Sequence, residues 1–180
     1  TLVMDYYQEA LSLAKELNNK ELISECFLRI GWLSEWEEGK EKYGTECLLH
    51  SLEIRKEINN KYLIANSYRA LGVHHTWSIP NYNKSIEYFT LGYNILKELN
   101  DNQGLASFLS SIGVSYWHTG ENDKALEYLE NGYKIFEKLG DKVAIVETLS
   151  WIGLKHYEKN NLTEALRFIE AAHNIGIEIK

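Results

Sequence analysis

The sequence predicts an all-α chain, a right-handed α-solenoid of antiparallel helix pairs with about nine helices, and three observations carry that expectation. First, Gly31, Gly72, Gly113 and Gly153 recur at spacings of 41, 41 and 40 residues, inside the related phrases RIGWLSEW, RALGVHHTW, SIGVSYWHTG and WIGLKHYEK. Second, a shared closing phrase keeps the same period: KELNN at 15–19, KEINN at 56–60, KELND at 97–101 and EKLGD at 137–141. Third, one proline in 180 residues and a wealth of Leu, Lys, Glu and Ala favour helix. A fixed period of roughly 20–50 residues marks stacked units, each too small to bury its own apolar face.

The chain reads as one domain: a lone second helix at 1–19, then four repeats at 20–60, 61–101, 102–141 and 142–180. The opening stretch Val3–Leu17 is expected to be a B helix lacking its A helix. Repeat 1 carries Gly31 in helix A and a long, charged turn around Glu37–Gly44. Repeat 2 turns at Ile79-Pro80-Asn81, where proline suits a helix start. Repeat 3 is the clearest: helix A runs about Asn102–Thr119, with Leu105, Leu109, Ile112, Val114 and Tyr116 at helical spacings. Gly120-Glu121-Asn122 breaks it, and Asn122 or Asp123 is placed to cap the next helix. Its helix B, DKALEYLENGYKIFEKL, sets Leu126, Leu129, Tyr133, Phe136 and Leu139 on one face. Gly140-Asp141 leads into the last repeat, which turns at Asn160-Asn161.

A glycine inside a helix costs about 1 kcal/mol relative to alanine. Four at one register therefore point to close approach of helix B to helix A. Small residues recur on the B helices too, at Ala10, Ser51, Gly92, Gly132 and Ala172, and are expected to admit the next helix A.

With 44% hydrophobic and 25% charged residues, the composition is that of a water-soluble chain with a substantial core. No run approaches the roughly 18 apolar residues that a membrane span needs. The opening TLVMDYYQEA carries acid and no basic region, unlike a secretory signal. Cys26 and Cys47 fall at non-equivalent points of the period and match no metal spacing, so a reducing, cytoplasmic setting is expected. The chain opens in mid-unit without an initiator Met, and a larger parent protein is expected. A net charge of −7 and a pI near 5.4 argue against nucleic acid and anionic membrane surfaces as partners.

No arrangement of residues points to catalysis, a metal or a cofactor. His74 and His75 are adjacent, so on a helix they diverge by about 100° and do not form an i, i+4 metal pair. His118 and His156 lie near the ends of separate A helices with no Cys or carboxylate set around them. Glu35, Glu37, Glu38 and Glu41 are interleaved with Lys40 and Lys42 and lack calcium-loop spacing. The repeated glycines stand in helices rather than in a phosphate-cradling cluster, and Tyr88, Tyr128 and Tyr133 read as packing on B helices.

The pattern resembles the tetratricopeptide repeat in its long form of about 40 residues, over essentially the whole chain. Repeat 3 matches best, through Ile112, Gly113, Tyr116, Ala125, Leu129 and Gly132. Repeat 4 supplies Ile152, Gly153, Ala165, Ile169 and Ala172; repeat 2 supplies Leu71, Gly72, Ser85, Phe89 and Gly92 with one extra turn residue. Repeat 1 keeps Leu48 and Ser51 but has Ser34 where an aromatic is expected. Similar long repeats occur in bacterial sensory and regulatory proteins and in peptide-binding adaptors. The resemblance implies a concave groove lined by the A helices at four registers. One residue after each glycine stand Trp32, Val73, Val114 and Leu154; four after stand Glu35, Thr76, Trp117 and Tyr157. Three before stand Leu28, Arg69, Ser110 and Ser150, and six before stand Glu25, Asn66, Ser107 and Glu147.

This set departs from relatives that grip a peptide backbone with Asn just after the glycine, or a terminal carboxylate with groove lysines. The first register is apolar here and no lysine joins the set, so a carboxylate clamp is not expected. The expectation is a non-catalytic protein–protein interaction module, part of a regulatory or signalling protein. It binds an amphipathic helix or hydrophobic segment at Trp32, Glu35, Asn66, Arg69, Val73, Ser110, Val114, Trp117, Leu154 and Tyr157. The competing readings are a regulator whose groove holds a small signalling peptide, and a groove whose apolar residues are simply core. Exposed solenoid ends also imply self-association.

Overall fold

Each junction from a B helix to the following A helix is written in two adjacent residues. The first adopts the left-handed region: Asn18 (φ 51°), Asn59 (φ 59°), Asn100 (φ 55°) and Gly140 (φ 69°). Asn and Gly tolerate that conformation better than other residues, and it closes the helix by satisfying its last carbonyls. The second residue caps the next A helix. Leu22 N donates to Asn19 Oδ1 (3.1 Å), Leu63 N to Asn60 Oδ1 (3.2 Å), Gly104 N to Asp101 Oδ1 (3.0 Å) and Ala144 N to Asp141 Oδ1 (3.1 Å). The closing phrase is a stop signal fused to a start signal.

The computed structural model describes residues 2–34, 37 and 39–179. Among them nine helices follow in order: α1 (Leu2–Glu16), α2 (Lys20–Ser34), α3 (Glu41–Ile58), α4 (Lys61–Trp77), α5 (Tyr82–Glu98), α6 (Asn102–His118), α7 (Asn122–Leu139), α8 (Lys142–Glu158) and α9 (Leu162–Glu178). The even-numbered helices are the A helices. One expectation about caps is corrected. Asn122 is already the first residue of α7, whose N-cap is Glu121 without a side-chain bond to the helix. At the entry to α5, Asn81 Oδ1 accepts from Lys84 N at 3.2 Å.

Packing divides the chain into two units, one ending at Ile95 and the other starting at Leu96, within α5. In the first, α2 packs on α1, α3 and α4. One cluster joins Met4, Ile30 and Cys47; a second joins Leu28, Leu48, Leu52, Ala70 and Leu71. In the second unit, α6 packs on α7 and α8, and α8 on α7 and α9. Ala106, Phe136, Ile145, Leu149 and Ala172 form its main cluster, flanked by Val114, Leu129 and Ile152.

The recurrent glycines are where each A helix meets its B helix. A Cβ at Gly31 would lie 2.8 Å from Leu48 Cγ, one at Gly113 2.8 Å from Leu129 Cγ and 3.0 Å from Ala125 O, and one at Gly153 2.8 Å from Ile169 Cγ1. At Gly72 it would strike the ring of Phe89. The small residue on α7 serves a different neighbour from the one expected. A Cβ at Gly132 would lie 2.8 Å from Ser110 Oγ and 3.1 Å from Ala106 O, both on α6 rather than on the next A helix. The α6–α7 seam is therefore close at two glycines, one from each helix.

Candidate functional site

The anticipated binding residues fall on two faces, one in each unit. Glu35 lies outside the described residues.

In the first unit the face belongs to α2 and α4. Trp32 is half-buried, its ring packed against the Leu28–Leu48–Leu71 cluster, and Val73 is half-buried one repeat later. Asn66 and Arg69 stand a turn apart on α4, with Arg69 Nη2 donating to Asn66 Oδ1 at 3.1 Å. Thr76, placed by register in the same lining, turns inward instead. It is buried, donates to Gly72 O at 2.9 Å and meets Ser85 Oγ of α5 at 2.6 Å.

Sequence reasoning missed the most densely bonded group of this unit, Arg55 of α3. Its side chain is 0% exposed. Nη2 donates to Glu25 Oε2 at 2.6 Å, Nε to Ser24 Oγ, and Nη1 to Ser67 Oγ and Leu63 O, each at 3.2 Å. The guanidinium thus ties α2, α3 and α4 together. Burial pulls its pKa below the ordinary arginine value, and the Glu25 carboxylate opposes that pull. The signal was present: at the same register the later B helices carry Leu96 and Phe136, both buried, so a charge at that point of the period is an exception. A cavity of about 420 Å³ opens beside it, lined by Asn19, Glu21, Leu22, Glu25, Arg55 and Leu63.

The adjacent histidines of α4 are both buried. Thr45 Oγ1 donates to Glu41 O and lies 2.8 Å from His74 Nε2, which leaves that nitrogen as the donor. His75 stacks on Tyr88 with centroids 5.6 Å apart, and its Nδ1 is buried without a hydrogen-bond partner. Burial lowers the His75 pKa, with a smaller contribution from His74 and Lys84. Both cysteines are buried thiols whose pKa values burial raises, so neither is a ready nucleophile. Among the described residues no group of three or more His, Cys, Asp or Glu is arranged to hold a metal.

In the second unit the face belongs to α6 and α8. Ser110 Oγ is buried against the α7 seam, without a hydrogen-bond partner. Val114 is core, packed with Leu129 and Ile152. Trp117 is half-buried and meets Trp151 edge to face, centroids 4.9 Å apart at 82°. A lysine, absent from the anticipated set, completes this cluster. Lys155 is 2% exposed, its ammonium 4.8 Å from the centre of the Trp117 ring and 2.8 Å from Glu158 Oε2. The pair and the ring share the charge of a buried ammonium, and Trp117 gains a fixed orientation. Next to it His118 is held below the usual imidazole range by desolvation and then by the Lys155 charge. Beyond this cluster Leu154 is 41% and Tyr157 61% exposed, two apolar side chains three residues apart on α8.

No family model and no curated protein matches the chain. Solved structures do. Aspartyl phosphate phosphatase F from Bacillus subtilis superposes with a TM-score of 0.86 at 13% identity, covering 97% of this chain and 45% of that one. A Rap protein complexed with competence and sporulation factor gives 0.73 at 18%, covering 97% and 58%. A putative kinesin light chain with TPR-like repeats from Podosopora anserina gives 0.77 at 12%, covering 98% and 86%. The chain spans about half the length of the first two. At these identities the likeness is one of fold: a helical repeat of the tetratricopeptide type.

Proposed function

We propose that this tetratricopeptide-type helical-repeat chain is a non-catalytic interaction module that takes up an amphipathic helix or a hydrophobic segment of a protein partner. The observation that carries the reading is on α8. Leu154 and Tyr157 are solvent-exposed on an A helix whose Ile145, Leu149 and Ile152 are buried, and the same helix carries Trp151 and Lys155, which orient the Trp117 ring. Exposed, pre-positioned aromatic and aliphatic side chains are what an interface hot spot is made of. Val114 supports this face from below rather than touching a ligand. Trp32 and Val73 form the corresponding apolar part in the first unit.

The test is binding of amphipathic helical peptides to the wild type and to Leu154→Ser/Tyr157→Ser. Both side chains are exposed, so the double variant is expected to keep its melting midpoint within about 4 °C while losing at least ~10-fold in affinity. Equal affinity would move the binding surface elsewhere.

A second reading, a module that holds a small signalling peptide, draws support from the Asn66–Arg69 pair, which offers polar groups on the α4 face. Self-association belongs to the same proposal. Leu2, Val3, Tyr6, Leu13 and Leu17 on or beside α1, and Leu162, Leu166, Ile169 and Ile177 on α9, are exposed apolar residues of the first and last helices.

A further inference from the structure

Among the described residues, the α2–α4 face of the first unit carries a charge arrangement that is left incomplete. Three guanidinium groups gather there. Two of them share one carboxylate: Arg29 Nε donates to Glu25 Oε1 at 2.7 Å and Arg55 Nη2 to Glu25 Oε2 at 2.6 Å. Both oxygens of Glu25 are thereby engaged. The third, Arg69, has no carboxylate within ion-pair distance among the described residues; it donates instead to the neutral Asn66 amide at 3.1 Å. Asn66 stands at the register that Glu25 holds one repeat earlier, six residues before the glycine. Where repeat 1 sets a carboxylate one turn before its arginine, repeat 2 sets an amide that orients the arginine and leaves its charge unmatched.

The surroundings make the mismatch unfavourable. Arg69 is exposed to solvent, yet desolvation by the neighbouring protein and then the Arg29 charge pull its pKa below the ordinary guanidinium value. A side chain accessible and crowded at once, beside a like charge, gains from an incoming anion. Glu21 lines the same cavity as Glu25 and Arg55. With Arg29, Arg55 and Arg69 against Glu21 and Glu25, the cluster is net positive in a chain whose net charge is −7. The chain as a whole does not attract anions, so an acid preference at this face would come from this local cluster.

We propose that the α2–α4 face recognises acidic peptide: a side-chain carboxylate of the partner accepts hydrogen bonds from the Arg69 guanidinium beside Arg29, in the manner in which Glu25 accepts from Arg29 and Arg55. The planar fork of arginine matches a carboxylate through two parallel N–H donors. This rests on the reading of the chain as a peptide- or protein-binding module and names the chemistry of its partner at the first unit.

The probes are an N-acetylated, C-amidated peptide rich in Glu, its Gln counterpart, and the Gln counterpart with a free C-terminal carboxylate. Each is titrated at low salt into the 15N-labelled chain while the arginine Nε–H resonances are followed. The Arg69 resonance is identified by its loss in Arg69→Lys. The Glu peptide is expected to shift the Arg69 and Arg29 resonances saturably, with an affinity at least ~5-fold above the Gln peptide, and the effect weakens as salt rises. Arg69→Gln is expected to abolish the preference, and Arg69→Lys to reduce it, since charge is kept but the fork is lost. The proposal is overturned if the Glu peptide causes no saturable shift, if the Gln peptide matches it, if the free C-terminus alone reproduces the effect, or if Arg69→Gln retains the preference. The Leu154→Ser/Tyr157→Ser variant is expected to keep the arginine response, so failure of the apolar face on α8 and failure of this site are read separately.

Discussion

At the scale of single residues, Arg55 shows how a buried charge is accommodated in a repeat core. It occupies the register of Leu96 and Phe136, and its four hydrogen-bonded partners supply what those residues obtain from packing. Replacing a buried, fully bonded charge by a well-packed apolar side chain is often close to neutral, whereas truncating it leaves a void and unpaired groups. Arg55→Ala is expected to lose about 2–4 kcal/mol of unfolding free energy and Arg55→Leu clearly less, both read by denaturant titration. His75 makes a pH prediction. Its pKa in the folded chain lies below the ordinary value of 6.5, because burial among His74, Lys84 and Tyr88 disfavours the cation. Below that ordinary value the unfolded chain binds more protons than the folded one, so stability is fully present above it and falls as pH drops through it. His118, shifted the same way, adds to the slope. Denaturation midpoints measured from neutral pH down to about 5 are expected to decline, and less steeply in His75→Phe, which keeps the stack on Tyr88.

Helix pairing is decided by glycines that differ in what surrounds them. Gly113 faces Leu129 and the backbone of Ala125 at 3.0 Å or less, while Gly176 on α9 has nothing within 4 Å of the place of a Cβ. Gly113→Ala is expected to cost about 1–3 kcal/mol, since a backbone oxygen cannot yield as a side chain can. Gly176→Ala is expected to raise stability by about 0.5–1 kcal/mol through helix propensity alone. Opposite shifts of the melting midpoint would confirm the pairing register, and equal shifts would refute it. The period of the glycines was legible in the sequence because only close packing keeps glycine in a helix. The partner of Gly132 was not, because a small residue announces a close approach without saying from which side.

For the molecule as a whole, the exposed apolar residues of α1 and α9 set the prediction. On α9, Leu166, Ile169 and Ile177 are exposed. Among the described residues no helix is long and apolar enough to cross a membrane, so these side chains are not those of a membrane span. The chain is expected to show a concentration-dependent mass by light scattering, reduced in Leu166→Glu/Ile177→Glu. A constant monomer mass would remove self-association from the proposal.

Period, element order and the chemistry of the B-to-A junctions were present in the sequence, because each depends on local rules: αL tolerance at Asn18, Asn59, Asn100 and Gly140, capping by Asn19, Asn60, Asp101 and Asp141, and the spacing of apolar residues. The candidate binding residues were legible only as registers. Which of them face solvent was decided by tertiary packing: Val114 and Thr76 turned inward, Leu154 and Tyr157 outward, and Trp117 was pinned by a lysine from the next A helix. The reason is physical. A register fixes direction about a helix axis, while exposure and charge pairing depend on neighbours 30 or more residues away in the chain, as the contacts of Trp117 with Lys155 and of Arg55 with Glu25 both show.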